Sequence, residues 1–66
     1  MTDEIQMDNF TAIMIAEGVE KPESEEQYLA AWQHLVDTGI VWSLQGFFGR
    51  TAAAMIESGC IQPARN

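Results

Sequence analysis

Three apolar stripes at helical spacing, each followed by a glycine, restrict the folds open to this sequence more than any other feature. Met7, Phe10, Ile13 and Met14 form the first stripe, which stops at Gly18. Leu29, Trp32, Leu35 and Val36 form the second, with Tyr28 at its edge, and stop at Gly39. Phe48, Thr51, Ala52, Met55 and Ile56 form the third, ahead of Gly59. Recurrence every three to four residues marks an amphipathic helix, and a glycine just past the stripe marks its left-handed stop. The expected fold is therefore all-α: a bundle of three helices in one domain spanning residues 1–66, with flexible ends at 1–6 and 62–66.

Local signals refine the boundaries. The first helix runs from about Asp3 or Met7 to Glu17, and GVEKPES is a linker punctuated by Gly18 and Pro22. Ser24, with Gln27 three residues on, makes a capping box that opens the second helix, and Glu25 and Glu26 suit the positive end of its dipole. Gln33, His34 and Asp37 fall on its polar side. Gly46 and Gly49 weaken the first half of the third element, Ile40–Ser58. A break near Gln45–Gly46 would leave a short helical turn at 41–45 and a longer helix from about 47, making four helices. LVDTGIV at 35–41 and MIESGCI at 55–61 share one form: two apolar residues, an acid, a hydroxyl, glycine, any residue, an apolar residue. That form fits a helix whose chain folds back onto its last turn after the glycine.

A chain of 66 residues buries only about 60% of the surface that its unfolded form exposes. Domains this small usually need a disulfide, a metal or self-association. Cys60 is the single cysteine and His34 the single histidine, so neither an internal disulfide nor a zinc site is expected. Self-association into a homo-oligomer remains, and 47% hydrophobic residues can supply an interface.

Net charge is −7, divided as −8 over residues 1–37 and +1 over residues 38–66. An acidic front half repels phosphate backbones, which argues against direct nucleic-acid binding. It aids solubility or faces a basic partner. No basic leader and no apolar run of membrane-spanning length is visible, so a cytoplasmic location without membrane contact is expected.

WSLQGFFGR, residues 42–50, is the one segment with chemistry to weigh. On a continuous helix, Trp42, Gly46, Gly49 and Ala53 would align into a shallow strip. A close helix crossing explains such a strip. So does a binding surface, in which the helix start offers backbone N–H groups to an anion. There Gln45 hydrogen-bonds, Trp42, Phe47 or Phe48 stacks on a planar ring, and Arg50 neutralises a phosphate or carboxylate. Pairing of Arg50 with Glu57, or with a neighbouring carbonyl, is the structural alternative. The ligand candidates are Trp42, Gln45, Gly46, Phe47 and Arg50. GFFG has the spacing of a KH loop but lacks its polar centre, and there is no dinucleotide fingerprint or Walker motif.

Other candidates favour structural roles. His34 reads as a solvated histidine and Cys60 as buried filler. Glu23, Glu25 and Glu26 read as helix-start charges, and Trp32 and Tyr28 as core aromatics. No nucleophile–base pair, paired carboxylates or metal ligands are evident, so no enzyme, metal or cofactor is expected.

Residues 32–61 resemble a family of very short bacteriophage proteins of unknown function. The resemblance rests on Asp37-Thr38-Gly39, Trp42, Leu44, Gln45, Gly46, Phe48, Gly49, Arg50, Ala52, Ile56 and Gly59. It implies a phage origin and residence in the host bacterial cytoplasm, with no mechanism attached. Together with the residues, it leads to the expectation of a phage accessory protein that acts by binding. One version sequesters a small anionic, nucleotide-type host signal in a pocket between subunits. A second is an acidic inhibitor that binds a host enzyme as a charge mimic, and a third is a minor virion component.

Overall fold

The computed structural model describes residues 8–64. Helix α1 spans Asn9–Glu17, α2 spans Glu25–Thr38, a 3-10 helix covers Ile40–Ser43 and α3 spans Gly46–Ser58. The all-α expectation holds, and the third element breaks where the glycines weaken it. Expected flexible residues 1–6, and the final two residues of the 62–66 segment, lie outside the described residues.

Each helix start follows from its own local chemistry. Asp8 caps α1 by accepting the Thr11 N–H at 2.8 Å. Ser24 caps α2 by accepting the Gln27 N–H at 3.1 Å, and Gln27 Oε1 accepts the Glu23 N–H at 2.6 Å. The return bond of this box thus lands one residue before the cap. No side chain caps α3, where Gln45 stands at the N-cap position.

The helix ends explain the internal echo. Gly39 and Gly59 close their helices at φ 81° and 87°, a left-handed backbone that L side chains rarely adopt. In both copies the preceding hydroxyl turns back on the helix: Thr38 donates to the His34 carbonyl at 3.0 Å, and Ser58 to the Met55 carbonyl at 3.1 Å. In both, the apolar residue two places past the glycine, Val41 or Ile61, is buried in the core. The shared pattern is a device for folding the chain back onto the body after each helix.

Helix α1 packs along α2, and the 3-10 helix bridges α2 and α3. The core comprises Ala12 and Ile15 of α1, Ala31, Trp32, Leu35 and Val36 of α2, then Val41, Phe48, Ala52 and Ile61. Trp32 and Phe48 join the two halves with ring centroids 6.0 Å apart at a tilt of 44°. The Trp32 indole N–H is buried without a hydrogen-bond partner, so this ring contributes through its apolar area alone.

Two polar contacts depart from the sequence expectations. Gln33, assigned to the polar side of α2, is only 8% exposed. Its amide donates to the Gln62 carbonyl at 2.9 Å and accepts the Gln62 N–H at 2.8 Å. It also donates to Asp37 at 3.0 Å. One side chain therefore satisfies both polar groups of Gln62 and fastens the segment after α3 to α2. His34 is half-buried rather than fully solvated, and its Nε2 hydrogen-bonds Asn9 Oδ1 at 2.7 Å, tying the start of α1 to α2.

Candidate ligand-binding site

The five candidate residues lie where the 3-10 helix turns into α3. Trp42 is the third residue of the 3-10 helix, its N–H donating to the Gly39 carbonyl at 3.2 Å. Leu44 and Gln45 carry the chain to Gly46, the first residue of α3. The strip of Trp42, Gly46, Gly49 and Ala53 on one continuous helix does not form, because the chain breaks between Trp42 and Gly46. Instead the indole lies over Gly49: a Cβ there would sit 3.5 Å from Trp42 Cε3 and 3.7 Å from Cζ3. Gly49 thus serves packing, whereas Gly46 is exposed.

Phe47 and Phe48 divide the work of the motif. Phe48 is buried against Trp32, while Phe47 remains 42% exposed with its ring centroid 4.4 Å from that of Phe48. Trp42 is 53% exposed. The Trp42 indole and the Phe47 ring thus both keep surface available near the start of α3 after folding. Of the motif's other residues, Ala52 is buried and Leu44 and Ile56 are half-buried, whereas Gln45 and Arg50 are exposed.

Electrostatics at this corner run against the rest of the chain. The first turn of α3 holds no acid and no capping side chain. A helix start leaves its first N–H groups outside the helical ladder and carries partial positive charge. Phe48 N–H donates to the Gln45 carbonyl at 2.9 Å, so the groups left over are those of Gly46 and Phe47. Arg50 adds to this charge. Its Nη1 stands 3.1 Å from where a Gly46 Cβ would be. The guanidinium therefore folds back towards the helix start, away from Glu57, which lies about 10 Å further along the axis at 1.5 Å per residue. A cation beside the positive end of a helix is unfavourable by roughly 0.3–1 kcal/mol, and an anion between them reverses the sign.

Elsewhere the candidates resolve plainly. Cys60 is exposed, not buried, and its Sγ lies 3.3 Å from Ser58 Oγ, where the thiol can donate to the hydroxyl whose own proton goes to the Met55 carbonyl. Position decides this: the residue one past the glycine points outward and the next, Ile61, points inward. The acids from the end of α1 to the start of α2, Glu17, Glu20, Glu23, Glu25 and Glu26, are all exposed. Among the described residues no group of three or more His, Cys, Asp or Glu side chains could hold a metal ion. No described helix is long and apolar enough to cross a membrane.

A small all-helical domain with an exposed aromatic and cationic corner is the class that these features define. The chain matches the model of a family described as a domain of unknown function, DUF7417, over residues 6–66. It belongs to that family. No curated protein and no solved structure matches it.

Proposed function

We propose that the corner formed by Trp42, Gln45, Gly46, Phe47 and Arg50 binds a small anion that carries a planar ring, without catalysing its conversion. The observation that carries this reading is the position of Arg50. Its guanidinium is folded over an uncapped helix start that has no acid in its first turn, in a chain of net charge −7. Gly46 and Phe47 N–H groups and the guanidinium serve the anionic group, Gln45 supplies a donor and an acceptor, and Trp42 or Phe47 stacks on the ring. A nucleotide combines both features.

All five residues are exposed on a single chain, whereas small-molecule sites bury about 70–90% of their ligand. The complete pocket therefore uses two copies of the chain, each covering the corner of the other. With the phage resemblance of residues 32–61, the role is sequestration of a nucleotide-type signal of host defence in the bacterial cytoplasm. Titration calorimetry against cyclic dinucleotides and ADP-ribose-type nucleotides tests it. The expected result is binding by the wild type that weakens at least about tenfold in Arg50→Ala. Absence of binding across the whole panel overturns the reading.

A second reading, inhibition of a host enzyme by charge mimicry, is favoured by the exposed acids Glu23, Glu25 and Glu26. There, neutralising all three to glutamine abolishes capture of the host partner. A partner retained by that variant sinks the mimic.

A further inference from the structure

The stripe that best marks α1 as a helix is not the face that α1 buries. At 100° per residue, Phe10, Ile13, Met14 and Glu17 share one side of the helix and Ala12 and Ile15 the other. Ala12 and Ile15 pack into the core with Ile13 partly buried against it, while Phe10 is 70% exposed and Met14 is half-buried on the outer side. Residues 9–16 contain no Asp, Glu, Lys or Arg. Val19, 65% exposed just past the helix stop, extends the apolar area. A helix apolar on both sides is normally covered on both, and among the described residues only the α2 side is covered.

Charge at the rim selects the occupant. Asp8 stands at one end of α1 and Glu17 at the other, with Glu20 and Glu23 beyond, all exposed; Lys21 is the one cation among them. A second copy laid on this face, in either direction, sets Asp8 and Glu17 against the same acids in a chain already at −7. A segment with apolar residues at helical spacing, flanked by Lys or Arg, meets both the apolar centre and the acidic ends. We propose that the outer face of α1, centred on Phe10 and Met14, docks a basic amphipathic helix of another protein. Neither the anion corner nor Glu25 and Glu26 of the second helix start enter this proposal.

The probe is a synthetic amphipathic peptide with leucines at i, i+3, i+4 and i+7 and lysines flanking them. Its control is a scrambled peptide of identical composition. Fluorescence anisotropy with the full chain, at about 150 mM salt to suppress long-range attraction, is expected to show the patterned peptide bound at least about tenfold tighter than the scramble. Phe10→Ser is expected to remove that preference while leaving the helical circular dichroism spectrum unchanged, since Phe10 contributes little to the core. Equal binding of both peptides, or a preference that survives Phe10→Ser, overturns the proposal. Sedimentation equilibrium of the chain alone provides the competing outcome. A dimer that Phe10→Ser dissociates assigns the face to a second copy and overturns the proposal equally.

Discussion

Asp8 couples a local bond to the pH response of the whole chain. The N–H of Thr11 holds its carboxyl below the usual value of 3.8, helped by the Thr11 side chain and, to a smaller degree, by the charge of His34. Because the folded pKa is depressed, the stabilisation is present above the unfolded value and is lost as pH falls through the lower, folded one. The affected window therefore lies below about pH 4. Asparagine caps a helix nearly as well without titrating. Asp8→Asn is thus expected to lose less stability than the wild type on acidification, read as thermal midpoints at successive pH values. Parallel curves for the two chains would show that the cap contributes nothing through its charge.

At the scale of elements, α3 carries two glycines with opposite duties. An alanine methyl at Gly49 meets the Trp42 ring at 3.5 Å, an ordinary contact, and removes the conformational freedom of glycine from the unfolded chain. Gly49→Ala is expected to add about 0.5–1 kcal/mol, seen as a rise of several degrees in melting temperature. Gly46→Ala brings its methyl to 3.1 Å from Arg50 Nη1, and only a flexible side-chain end must yield. It is expected to leave stability intact and to weaken anion binding in calorimetry. Helix ends were legible in the sequence because their signals are local: Ser24 with Gln27, and glycine after Thr38 and Ser58. The buried face of α1 was not legible, since its residues are apolar on both sides and α2 alone chooses between them. Gln33 was misread for a related reason. Nothing near a glutamine in sequence announces that a main chain 29 residues away will meet its amide. The motif from Trp42 to Arg50 was visible as unusual, but its division into packing (Phe48, Gly49) and exposed (Trp42, Gly46, Phe47, Arg50) residues needed the break before Gly46.

For the molecule as a whole, few anchors hold much chain. The largest fully buried side chains are Trp32, Ile15, Leu35, Val36 and Val41, and four of these five come from α2 or the segment after it. Helix α3 contributes only Phe48 and Ala52 as buried residues. It is held at its start through the 3-10 helix and at its end through Ile61 and the bonds of Gln33 to Gln62. Those bonds join distant parts of the chain, so the entropy of closing the intervening loop is lost before they can form. The pairing of α1 with α2 can begin across the short linker of residues 18–24 and only then reach the Asn9–His34 contact, 25 residues apart. Gln33 is therefore expected to act as a latch that shuts after the rate-limiting step of folding. Replacing it with alanine, at a cost of about 1 kcal/mol, is expected to speed unfolding about fivefold and leave the folding rate nearly unchanged. Stopped-flow denaturant jumps on Gln33→Ala separate the two rates. A slowed folding arm would instead place this contact in the nucleus. On this view the glutamine sets how long α3 stays shut once the chain is native, and has little part in how quickly it gets there.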